Sequence, residues 1–330
     1  GALSSALVPT FTAERMNGGP DRGWRVASLV FAALTGIVTL LAAIGYWFAP
    51  ALVDLYAAAF HSVPGKFELT VSMTRIMMPF FPLVALSAAV MAILNACGAF
   101  FVPAFSSAMF NIVSVLCGVG LTFFCEDWWG IQPIEGMALG VVAGGVAQVG
   151  SQLPTLWARG YRWRGRGQAD PNWYADPALR KMLLLMVPGT VGLAATQVNI
   201  LVNSVLATGQ GTGAVSWLNY AFRLMQFPIG IFGVSLASAT LPRIAALWTG
   251  NDRQGFASTL TGSLRQVIAV NVPASVGLAV LGGPIISLIF EYGAYTPAHA
   301  RNTAIALAAY SIGLTAYSSV KVLVPAFYVM

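Results

Sequence analysis

Charge is what this chain has least of: of 330 residues only 8% are charged, against 57% hydrophobic. A soluble domain carries roughly a quarter charged residues, so the shortage excludes an ordinary globular protein and points to a membrane protein. Acidic groups are scarcer still, 11 in all against 17 basic ones. The three cysteines, Cys97, Cys117 and Cys125, form no C-x-x-C pair and have no histidine nearby. They are read as small packing residues, which excludes a disulfide framework and a zinc site. The two histidines, His61 and His299, are far apart in sequence. No paired-carboxylate, Walker or nucleophile-elbow pattern is present, so no enzyme activity, cofactor or metal site is expected. Without a phosphate-binding loop, any active transport by such a membrane protein would be driven by an ion gradient or the membrane potential.

What the chain does have is long apolar runs. A spanning helix needs roughly 20 mainly apolar residues. That rule predicts complete spans near 26–49, 71–95, 102–124, 136–158, 182–207, 214–241, 265–290 and 303–325, after a partial segment, "GALSSALVPTF". Short turns and many internal Gly and Pro exclude a β-barrel. The first residue is Gly and the last run, "VKVLVPAFYVM", is apolar to its end, so a fragment of a longer polytopic protein is expected.

The loops alternate in charge. Arg15, Arg22, Arg25, Arg159, Arg162, Arg164, Arg166, Arg180, Lys181, Arg243, Arg253 and Arg265 fall on one side, twelve of the 17 basic residues. The positive-inside rule makes that side cytoplasmic. The net charge of +6 therefore reports topology, with membrane lipids as partners and no nucleic acid. Lys66, Arg301 and the acidic "CEDWWGIQPIE" occupy the outer side.

Two stretches repeat: "LSSALVP" (3–9) resembles "LASATLP" (236–242), and "APALVDLY" (49–56) resembles "GPIISLIF" (283–290). Both members of each pair face the same side, which predicts parallel repeats and two lobes with a cavity between them. The N-terminal lobe is expected over 1–158, a basic cytoplasmic linker over 159–178, and the C-terminal lobe over 179–330.

Three basic residues, Arg75, Arg223 and Lys321, lie inside predicted spans, where a charge marks function by default. Arg75 is two turns inside the outer boundary, where it can snorkel or pair with Glu68. Lys321 lies toward the cytoplasmic end of its span, within reach of headgroups or a cavity. Arg223 is about 14 Å from the outer end at 1.5 Å per residue, too deep for snorkelling alone. On a helical projection Thr212, Ser216, Asn219, Tyr220, Gln226 and Gly230 fall within about 60° of it, whereas Leu218, Phe222, Met225 and Ile229 fall elsewhere. The polar residues form one stripe, predicted to face a wet cavity. Pro228 cannot donate to the carbonyl of Leu224, and with Gly230 and Gly233 following, a kink is expected there. Gly192, Thr196, Asn199 and Asn203 share a face of the 182–207 span, as interhelix glue or as cavity lining.

The motifs "TRIMMPFFP" (74–82), "AILNACGAFFVPAF" (92–105), "SQLPTL" (151–156), "VSWLNYAFRLMQFPIGIFGVSLASATLPRI" (215–244) and "YSIGLTAYSSVKVLVPAFY" (310–328) follow the opening segment in order. With that segment they resemble the MurJ (MviN) lipid II flippases of the multidrug/oligosaccharidyl-lipid/polysaccharide exporter superfamily. The resemblance implies an all-α, two-lobe, fourteen-helix transporter of the bacterial inner membrane, of which this chain holds the end of helix 2 through helix 10. It implies the flipping of lipid II, the undecaprenyl diphosphate-linked disaccharide peptide of peptidoglycan synthesis, by alternating access through a cationic cavity. A related exporter of another lipid-linked glycan or of a small-molecule drug is the alternative. The family's helix 8 arginine falls on Arg223 and its helix 10 lysine on Lys321; Ser216 and Gln226 fall on further polar cavity positions. The chain departs from the family in reading "YAFR" where Tyr-Ala-Asp-Arg is usual, so Phe222 replaces a carboxylate. Asn203 stands where several members have an Asp linked to a sodium site. The remaining essential arginines of helices 1 and 2 are expected upstream of residue 1.

Overall fold

The computed structural model describes residues 2–129, 132–162, 176–211 and 213–329. Eleven α-helices and no strand occur among the described residues. They fall into two compact units, Gly1–Val205 and Leu206–Met330, each described by itself.

The first unit opens with α1 (Ala2–Trp47), broken by Gly19 at φ 78°, ψ 174°. The rings of Phe11 and Trp24 are 5.4 Å apart, although thirteen residues of straight helix would span roughly 20 Å. The chain therefore reverses at Gly19, a backbone state that favours glycine, and Pro20 follows. The opening segment and the 26–49 span are thus two limbs of one helical hairpin. The turn is held by Arg22, which meets Glu14 at 2.8 Å and Asp176 at 3.0 Å. Leu7, Phe11, Trp24, Val26 and Val30 pack with Ile93 and Leu94 of α4 and with Leu179 and Met182 of α7 in the unit's main core.

A short helix, α2 (Ala49–Ala57), and a 3-10 turn, Ala58–Ser62, lead into α3 (Lys66–Met77). Pro79 separates α3 from α4 (Phe80–Ala96), because it has no N–H to continue the ladder, but the two run on as one span. Next come α5 (Phe101–Trp129) and α6 (Pro133–Ala158), which lie against each other along small residues. A Cβ on Gly140 would meet the Cα of Gly118 at 2.4 Å, so the helices touch backbone to backbone there. The 182–207 span lies in α7 (Pro177–Thr208). The expected linker falls mostly on 163–175, outside the described residues, as do the side chains of Gly192, Thr196 and Asn199.

In the second unit α8 (Ala214–Pro228) passes into a π-helical turn, Ile229–Val234, and then α9 (Ser235–Thr249). Together they make one span of 36 residues, longer than the predicted 214–241. Two long helices, α10 (Arg253–Phe290) and α11 (Pro297–Val329), complete the unit. Buried Asn271 accepts from Ser318 Oγ at 3.0 Å, and Thr240 meets Ser263 at 2.8 Å, so α10 is tied by hydrogen bonds to α11 and to α9.

Each unit repeats one local plan, as the sequence repeat predicts. Pro9 lies within a helix that ends at the Gly19 turn and is followed by a long helix; Pro242 lies in α9, which ends before Asn251 at φ 60° and is followed by α10. Seven helices among the described residues are long and apolar enough to cross a membrane.

Candidate functional site

Most of the expected polar stripe shares one exposed face of α8; Thr212 lies outside the described residues. Ser216, Asn219, Arg223, Gln226 and Gly230 are all exposed, while Ala214, Ala221, Met225, Pro228 and Ile229 are buried against the rest of the unit. The division follows helical periodicity: the apolar positions meet Leu307, Leu314 and Ile286, and the polar ones are left on the opposite face. Arg223 has no ion pair or hydrogen bond among the described residues. Asn219 Nδ2 donates to the carbonyl of Val215 at 2.8 Å, which fixes the amide and turns its Oδ1 outward as an acceptor.

Tyr220 departs from the stripe. Its ring is 4.7 Å from Phe290 and 5.7 Å from Tyr295, in an aromatic cluster that joins α8 to the loop before α11. Helical angle alone could not separate it from the exposed residues, because at about 60° it lies on the edge of the face. Phe227 is the opposite case: it lies about 40° from Arg223, and it is 70% exposed. Its apolar character hid it, yet it shares the stripe's face.

Phe222 has a definite place. Its ring lies 5.9 Å from that of Tyr310 on α11, and it packs against the unit's core. The position where the resemblance implies an acid is used here for helix packing, about 100° around the helix from Arg223.

Pro228 ends regular α-helix, and the π turn Ile229–Val234 begins at the next residue. The missing N–H and the ring's clash with the preceding turn are relieved by the wider π turn, the expected site of a bend. Gly230 is exposed with open space where its Cβ would be, whereas a Cβ on Gly233 would stand 3.4 Å from that of Ser318. Regular α-helix thus gives way at Pro228 to the π turn, with Gly230 on the open side.

Lys321 is exposed on α11, its Nζ 5.1 Å over the ring of Tyr317. The Gly233–Ser318 contact aligns the two helices. Counting ten residues back to Arg223 and three on to Lys321 separates the two cations by on the order of 20 Å along the axes. They are therefore not one contact site. Asn203, exposed on α7, belongs to the first unit and makes contacts of its own. Arg75 is bound rather than paired with Glu68: its Nε donates to the Tyr46 carbonyl at 3.3 Å and its guanidinium lies 5.5 Å over that ring.

A chain of long apolar helices, one of them passing into a π turn after a proline that follows an unpaired arginine, defines a polytopic helical membrane protein. Residues 1–330 match the family of lipid II flippase MurJ, and the chain belongs to that family. It is 33% identical to the probable lipid II flippase MurJ of Vibrio cholerae and 30% identical to the lipid II flippase MurJ of Burkholderia cenocepacia, covering 99% of this chain in each case. The chain spans 62% of the length of both relatives. Its fold is similar to a lipid II flippase MurJ in an inward closed conformation, with a TM-score of 0.80 at 24% identity over 100% of this chain and 65% of that one. It is also similar to an inward-facing MATE family transporter of the MOP superfamily, with a TM-score of 0.71 at 13% identity over 100% of this chain and 77% of the other. The chain is a multi-pass bacterial inner-membrane protein.

Proposed function

We propose that this chain handles the lipid-linked peptidoglycan precursor lipid II and moves it from the inner to the outer leaflet by alternating access. The observation that carries this reading is Arg223, an exposed and unpaired cation about 14 Å inside a span. An isolated arginine at that depth costs at least roughly 2.5–3.5 kcal/mol, which a water-filled cavity or a bound anion offsets. The planar guanidinium can grip two oxygens of a diphosphate, and Ser216, Asn219 and Gln226 offer neutral hydrogen bonds to the sugars. Phe227 adds an apolar surface for the lipid chain.

Lys321, farther toward the cytoplasm, would receive the diphosphate at another stage of its passage, with the bend at Pro228 between the two positions. Alternating access would be driven by the membrane potential or an ion gradient, with no chemical step. Asn203 would act on the ion-linked side of that cycle.

The test uses the full-length protein in cells depleted of their own flippase. Arg223→Ala is expected to lose support of growth, while Arg223→Lys keeps part of it. Full growth with Arg223→Ala at normal protein levels would remove Arg223 from the mechanism.

A further inference from the structure

The flipping site leaves Arg75 unused. It lines a cavity of about 720 Å³ in the first unit, bounded by the end of α1, by α3 and by α6. Every wall lies in the outer half of its span by the loop charges. The apolar lining includes Pro50, Val71, Ile76, Leu139 and Val142; the charged groups are Glu68 and Arg75.

Those two charges are seven residues apart on one face of α3, about 10 Å along the axis. An arginine side chain on a helix leans toward the N-terminus, here toward Glu68. Yet the two form no ion pair among the described residues, and Glu68 is exposed. Only Nε of Arg75 has an acceptor, the Tyr46 carbonyl, so both Nη groups remain without partners among the described residues. The Ser72 hydroxyl is held by Glu135, which also accepts from the Gln132 N–H, so the third polar wall is fixed in place.

The geometry points to a binding site for a zwitterionic phospholipid of the outer leaflet with a phosphoethanolamine headgroup. The phosphate accepts from the Nη groups of Arg75, the ammonium donates to the Glu68 carboxylate, and an acyl chain lies along Ile76, Leu139 and Val142. A cavity with one charge of each sign matches a headgroup that is itself neutral. An anionic headgroup would meet Glu68 with no ammonium to offer, and the apolar walls have no use for a headgroup without its chains.

Native mass spectrometry of the full-length protein, with phosphatidylethanolamine or phosphatidylglycerol of the same acyl chains, tests this. We expect phosphatidylethanolamine to be retained at least threefold more, Glu68→Gln to bring that ratio near one, and Arg75→Gln to lower retention of both lipids. Val142→Trp, which fills the cavity and touches neither charge, is expected to remove the same increment, and it serves should Arg75→Gln fail to fold. Soluble glycerophosphoethanolamine at equal concentration should not displace the lipid. Equal retention of the two lipids by the unsubstituted protein overturns the assignment. So does an unchanged preference in Glu68→Gln and Val142→Trp, or displacement by the soluble headgroup.

Discussion

The indole Nε1 of Trp217 donates to Nδ1 of His299 at 3.1 Å, joining the first turn of α8 to the first turn of α11. Indole nitrogen only donates, so the histidine must present an unprotonated Nδ1. The bond closes the end of the second unit above the polar stripe. Trp217→Phe keeps an aromatic ring and removes the donor. A loss of about 0.5–1.5 kcal/mol is expected, read as a lower unfolding temperature in detergent, and an unchanged transition would show that the bond contributes nothing.

Phe222 invites the opposite substitution, toward the acid that the family resemblance implies at this position. The ring faces Tyr310, so Phe222→Asp puts a carboxylate into a helix contact and forfeits an aromatic pair of about 0.5–1.5 kcal/mol. The variant is expected to be less stable than the parent. Equal or greater stability would mean that the carboxylate reaches Arg223 after all.

The α5–α6 contact sets a sharp contrast between two glycines. A methyl at Gly140 strikes the Gly118 backbone at 2.4 Å, while one at Gly150 meets nothing within 4 Å. Gly140→Ala should cost about 1–3 kcal/mol as an overpacked interface. Gly150→Ala should be neutral or slightly stabilising. Thermal unfolding of the pair side by side decides the matter.

Beyond the cytoplasmic end of α6, burial raises the pKa of Tyr161, partly offset by the hydrogen bond from Ser28. The ring is wedged against Trp24 and Phe31. A folded-state pKa above the unfolded one means that the neutral phenol is favoured by folding. Its contribution is complete below the ordinary tyrosine range and is lost as pH rises through the raised value. The absorbance of phenolate, compared between the parent and Tyr161→Phe, should show this tyrosine ionising at more alkaline pH than a free one. Ionisation at the ordinary value would contradict the packing.

Pro228→Ala restores an N–H to the α8 ladder and removes the clash that precedes the π turn. The helix is expected to gain stability and to straighten, and the complementation assay should show weaker growth if the bend takes part in alternating access. Full growth with a straightened helix would assign the proline to packing alone.

Much of the site was legible beforehand because a helix has a simple period. The exposed face of Ser216, Asn219, Arg223 and Gln226 and the end of regular α-helix at Pro228 follow from angles and from one missing N–H. Tyr220 and Phe227 were not separable that way. Tyr220 lies on the edge of the face and is covered by Phe290 and Tyr295, residues far along the chain, whereas Phe227 lies within the face and was hidden by its apolar character. A reversal between the opening segment and the 26–49 span was expected from the loop charges, but its place at Gly19 was hidden until Phe11 and Trp24 are seen in contact.

The sequence by itself determined the solvent, the succession of long apolar runs and the face on which Arg223 stands. These are sums and periodicities along one chain. Only the tertiary structure decided that Phe222 belongs to a helix contact, that Arg223 and Lys321 stand well apart along the second unit, and that Arg75 and Glu68 share a cavity without pairing. Each depends on the register of one helix against another, which is set by contacts such as Gly233 with Ser318 and Gly140 with Gly118. No local pattern encodes that register, because backbone approach at a glycine is a property of both helices together.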